Sequence, residues 1–143
     1  MKSRHILSAT ILALLPSAAW SAEKPMLLGE ALTLILAPQS TVTRVVIRAD
    51  STDQKLVITE WNDEREVATT VCGDKKADAY SIGLRIMKRY DGVQLGMSKD
   101  SKCIQYRLFG PGLDRERAEV VARAYAKSVL LWADEQELHV KQR

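Results

Sequence analysis

Cys72, Cys103 and His139 are the side chains of this sequence best suited to metal or nucleophilic chemistry. Their number and spacing support little of it. A tetrahedral metal site needs four ligands, and two cysteines without a nearby histidine cannot complete one. A catalytic thiolate needs an unpaired, activated cysteine. A Ser-His-Asp triad would have to use His139, near the C-terminus, where a solvated tail residue is the simpler expectation. Gly96-Met-Ser98-Lys-Asp100 lacks the second glycine of a nucleophile elbow and falls in an expected hairpin turn. No glycine-rich loop is present to cradle a phosphate. The residues therefore predict no catalytic set, no metal site and no cofactor.

Two charged clusters remain. Glu60, Asp63, Glu64 and Glu66 crowd around one expected turn, with Arg65 among them. Two carboxylates facing a cleft could cleave a glycosidic bond, or several could hold calcium. Flanking an exposed turn, they read better as solvated charges. Arg85, Lys88 and Arg89 share one face of an expected helix. They are either its ordinary wet side or a contact for an anionic partner. Arg44 and Arg48 could join them only if their face of the sheet is open. Trp61 alternates with Val57 and Thr59 and is expected to pack on the sheet. Trp132 is expected in the core.

The N-terminus suggests where such a protein works. Met1 to His5 is short and basic, Ile6 to Leu15 is apolar, and Pro16 breaks the run. Ala19 and Ser21 place small residues three before and one before a cut after Ser21. This is the layout of a secretory signal peptide, 1–21. The run is too short to span a bilayer, which needs ~20 apolar residues. The Ser21-Ala-Glu-Lys24 sequence has Ser-x-x-Lys spacing but straddles that cut. Residues 22–143 form one domain by size, ~120 residues. Losing Lys2 and Arg4 lowers the formal net charge from +3 to about +1, which gives no reason to expect nucleic acid as a partner. In an exported chain an even cysteine count predicts a Cys72–Cys103 disulfide. Closing a loop of about thirty residues is worth ~3.7 kcal/mol in the chain-entropy model.

The elements that would carry these groups follow from hydrophobic period. Met26 to Ala37 is apolar nearly all round, and a short helix is favoured over a strand. Val42–Ala49, Lys55–Trp61 and Val67–Cys72 alternate as an antiparallel meander, with turns at 50–53 and 62–65. From Lys75 to Tyr90, Asp78, Ser81, Arg85, Lys88 and Arg89 fall within one arc of roughly 100°, which predicts a helix. Asp74 would cap it and Gly92 stop it. Val93–Met97 and Lys102–Phe109 are two more strands around a turn at 98–101. Asp114 to about Glu137 is the last helix, with Asp114 as N-cap and Ala118, Val121, Ala122, Tyr125, Val129 and Trp132 as its apolar stripe. His139 to Arg143 would be a frayed tail.

The expected fold is α+β: one domain, an antiparallel sheet of about five strands packed by helices in the order α-β-β-β-α-β-β-α, with one disulfide. The expected function is that of a small periplasmic or secreted non-enzymatic protein that binds another macromolecule, in the format of an inhibitor or immunity protein. The partner would be another protein or an anionic envelope component, met by Arg85, Lys88 and Arg89. The alternatives are an accessory subunit of an envelope assembly, favoured if Met26–Ala37 exposes an apolar patch, and a hydrolase using the Glu60–Glu66 carboxylates.

Overall fold

A computed structural model describes residues 19–49, 54–73, 76–90, 93–97 and 103–143, without the side chains of 76–78, 87 and 93–97. The leader from 1 to 18, the turns at 50–53 and 98–101, the Asp74 cap and the Gly92 stop lie outside them. The five expected strands are all present: β2 (Arg44–Arg48), β3 (Lys55–Trp61), β4 (Glu64–Cys72), β5 (Val93–Met97) and β6 (Cys103–Gly110). Two short ones were not expected, β1 (Lys24–Met26) and β7 (Leu138–Gln142). They join one antiparallel sheet in the order β1-β7-β2-β3-β4-β6-β5. Pro25 suits the edge position of β1, because an edge strand can dispense with a backbone donor.

The segment after β1 is a helix, α1 (Leu28–Leu36), and its apolar character is used in the core: Leu28, Ala31, Leu32, Ile35 and Leu36 are buried. Glu30 accepts from the Leu27 amide at 3.1 Å and closes the first turn. The middle segment is the helix α2 (Lys76–Arg89), whose last turn carries Lys88 and Arg89, favourable at the negative end of the helix dipole. The helix α3 (Arg115–Ala124) starts where its sequence says, with the Asp114 carboxylate accepting from the Arg117 amide at 2.8 Å.

The expected end of α3 at Glu137 is wrong. The helix passes into a π-helical turn, Tyr125–Val129, and Leu131 adopts a left-handed conformation at φ 59°. Trp132 then donates its backbone N–H to the Ala126 carbonyl at 2.9 Å and buries its indole. The apolar stripe Ala118–Trp132 is buried as read, yet the chain has turned before the stripe ends. The frayed tail is also wrong. Leu138 and Val140 are buried on β7, between β1 and β2.

Alternation places Val45, Ile47, Leu56, Ile58, Val67, Val71, Tyr106, Leu108, Leu138 and Val140 on one face of the sheet. All three helices share a single core with that face. The Cys72–Cys103 disulfide links directly opposed residues of β4 and β6, with Cα atoms 4.0 Å apart. It fastens the first half of the sheet to the last hairpin.

Tyr106 and Tyr125 sit fully buried in this core, ring centroids 6.4 Å apart. The Tyr106 hydroxyl donates to the Ala79 carbonyl at 3.2 Å. Burial first, and then the neighbouring Tyr80, push Tyr106 up to about 12; burial first, and then Tyr106, raise Tyr125. Unfolded phenols ionise near pH 10. Below that pH the stabilisation is complete, and it is lost as pH rises through the folded values. Alkaline unfolding should therefore begin above about pH 10, and two of the four tyrosines should ionise only together with loss of far-UV dichroism. Tyrosinate absorbance followed beside dichroism checks this; ionisation of all four before the fold is lost would contradict it.

Candidate functional site

Arg85, Lys88 and Arg89 lie on one side of α2, spaced three and four residues apart, and all three are exposed. The opposite side of α2 supplies Ala79, Ile82 and Ile86 to the core. The Arg89 guanidinium rests 5.9 Å from the centroid of the Tyr90 ring. Among the described residues, none of the three forms an ion pair. Tyr90 in turn lines a shallow cavity of about 170 Å³ with Leu108, Phe109, Pro111, Leu113 and Arg117. The basic stripe thus ends at a small apolar recess with a further cation on its far wall. Sequence reasoning missed this recess. Gly110-Pro-Gly112 marked only a break there, and the recess depends on how α2 and α3 approach β6.

Arg44 and Arg48 do not join the stripe. Their alternate neighbours Val45 and Ile47 point to the helices, so the two arginines occupy the opposite side of the sheet from α2. Arg48 pairs with Glu23 at 3.0 Å, and Glu23 also meets the Nδ1 of His139 at 3.2 Å. His139 is therefore held on β7 and is not the tail residue expected.

The carboxylates around the β3–β4 turn divide between the two faces. Glu60 accepts from Arg65 at 2.9 Å and lies 3.5 Å from Arg115. Arg115 also donates to the Ala37 carbonyl at 2.8 Å, tying α3 to the end of α1. Glu66, nearly buried, pairs with Arg107 across the sheet. Glu64 is exposed. Glu60 and Glu66 thus each face arginines, whereas Asp63 and Glu64 are exposed at the turn as the sequence led one to expect. Among the described residues, no three His, Cys, Asp or Glu side chains gather where they could share a metal ion.

Trp61 does not pack as expected. It is 55% exposed, the last residue of β3, on the face away from the helices and beside the tight turn where Asn62 takes φ 51°. Phe109, 47% exposed, lies on the same face at the same end, opposite Glu66. Comparison with protein-family models, with curated proteins and with solved structures found no match, so function must be argued from these residues themselves.

Proposed function

We propose that this protein is exported and acts without catalysis, by binding an anionic macromolecule, in the manner of an inhibitor or an immunity protein. The observation that carries the reading is the α2 surface: three exposed cations on one helix face, beside the Tyr90–Arg117 recess. A helix face of this kind meets a partner surface with all three charges at once. The disulfide is compatible with an oxidising compartment, and the periplasm or the exterior is the destination that the leader suggests. No helix among the described residues is long and apolar enough to cross a membrane. The accessory-subunit alternative gains nothing from α1, because the apolar residues that would have formed its contact patch are buried in the core.

Affinity capture from envelope extract identifies the partner, and intact mass of the purified protein locates the processing site. Binding should weaken with salt, since the Debye length falls from ~10 Å at 0.1 M to ~3 Å at 1 M. Changing Arg85, Lys88 and Arg89 together to Ser should slow association at least tenfold and leave the melting temperature unchanged, as expected for electrostatic steering. Unchanged rate and affinity in that variant would reduce the stripe to a solvated helix face.

A further inference from the structure

The contacts of the first described residues bear on where the leader ends. Ala19 is exposed. From Trp20 onward the chain is engaged with the sheet. The Trp20 indole lies between two guanidinium groups, 5.6 Å from that of Arg44 and 5.5 Å from that of Arg143. Both fall within the ~6 Å at which a cation is attracted to a ring face. Among the described residues the buried Nε of Arg44 has no hydrogen-bond partner, and the ring beside its guanidinium offers an attractive contact instead. Ser21 is held by both its main chain and its side chain. Its amide donates to the Gln142 carbonyl at 2.9 Å, and its hydroxyl accepts from the Gln142 amide at 3.1 Å. These bonds extend the pairing of β1 with β7 towards the N-terminus.

A cut after Ser21 would remove all of these contacts. The amide and carbonyl of the half-buried Gln142 would lose their partners in Ser21, and the Arg44 guanidinium would lose its ring. Polar groups left unpaired where water has poor access cost stability. Leader removal requires small residues three before and one before the bond. Ala19 and Ser21 meet that requirement for a cut after Ser21. Ser17 and Ala19 meet it equally for a cut after Ala19. A cut after Ala22 would put the bulky Trp20 at the outer position. The sequence rule thus leaves two bonds, and the fold uses the residues that lie between them.

We propose that the leader is removed at the Ala19–Trp20 bond, ahead of the bond expected from the sequence, so that Trp20 and Ser21 begin the mature protein. The inference rests on the reading that the chain is exported. The step is a hydrolysis by a signal peptidase. Water adds across the Ala19–Trp20 peptide bond, leaving a carboxylate on Ala19 and an ammonium group on Trp20. Trp20 is then a part of the mature fold. Its ring pins two arginines at the seam of β2 and β7, and Ser21 joins the start of the chain to its last strand.

The test expresses the full chain in an exporting bacterial host and reads the N-terminus of the exported protein by intact mass and terminal sequencing. The expected first residue is Trp20, so the mature chain keeps all three tryptophans. A protein that starts at Ala22 overturns the proposal and leaves export standing. A chain that keeps its leader overturns both. The two bonds also respond differently to substitution. Ser21→Gln spoils the later bond and leaves Ser17 and Ala19 in place, so processing should still give Trp20 first. Ser17→Gln should prevent that product. Processing that is blocked by Ser21→Gln and untouched by Ser17→Gln would place the cut after Ser21 and refute the proposal. A second measurement compares chains made directly with Trp20 or with Ala22 as first residue. The Trp20 form should melt about 5 °C higher, and Trp20→Ala should remove a good part of the difference. Equal melting temperatures would show that the fold does not use these residues, and the proposal would fall.

Discussion

Replacing Gly83 by alanine should cost about 3 kcal/mol, at the upper end of what overpacking a core usually costs. A Cβ built at Gly83 falls 2.4 Å from Cζ of Tyr106 and under 3 Å from both neighbouring ring carbons. Carbon atoms in contact prefer ~3.5–4.0 Å. Alanine would normally gain up to ~1 kcal/mol over glycine inside a helix, so two effects of opposite sign compete at this position. The clash wins because the ring cannot move aside. Tyr106 is fully buried on β6, and its hydroxyl is bonded to Ala79, one turn earlier on α2. Urea unfolding should show a lower midpoint with the slope unchanged. Adding Tyr106→Leu should recover part of the loss, because the two changes share one contact. A Gly83→Ala protein more stable than the parent would show that helix propensity decides here and that α2 lies further from the sheet.

Deleting Leu138–Arg143 should abolish the fold altogether. The segment looks dispensable in the sequence, yet it fills the gap between β1 and β2. Leu138 is fully buried and Val140 is 2% exposed. Burial of two such side chains is worth roughly 2 kcal/mol each. The ladders on both sides of β7 disappear with them, leaving β2 as an exposed edge. Set against a total stability of ~5–15 kcal/mol, that loss is large. The truncated chain should lack near-UV dichroism and melt without a cooperative transition. Val140→Asp should give a weaker form of the same defect. A truncated protein that melts cooperatively near the parent's temperature would mean that β7 is only an appendage.

The parts of this fold that could be read from the sequence are those with a sustained period. β2, β3 and β4 alternate over five to nine residues, and the polar arc of α2 has no exception, so each was placed correctly. β1 has three residues with a proline among them, too few for a period. β7 offers only Leu138 and Val140 as inward positions and follows a helical stripe that continues to Trp132. The stripe itself was right, but its spacing cannot reveal that Leu131 turns the chain within it. The α2 cations were legible because three of them fall within five residues of one helix. The seat of Trp20 was not. It is assembled from β2 and β7, and the register that aligns Arg44 with Arg143 joins residues a hundred positions apart. For the same reason Arg44 and Arg48 could not be assigned to a side before the helices were seen to occupy the other.

The position of β7 also sets the order of events in the life of the chain. The Thr43 amide donates to the Arg143 carbonyl at 2.8 Å, and the Arg143 amide to the Arg44 carbonyl at 2.8 Å. β1 has no neighbour but β7, and β2 has none on that side until the last residues arrive. While the C-terminus is still on the ribosome, the sheet cannot close. Pairings between distant segments make folding slow, because the loop must be closed before the contacts can form. Closure of the sheet therefore waits on the segment that forms β7.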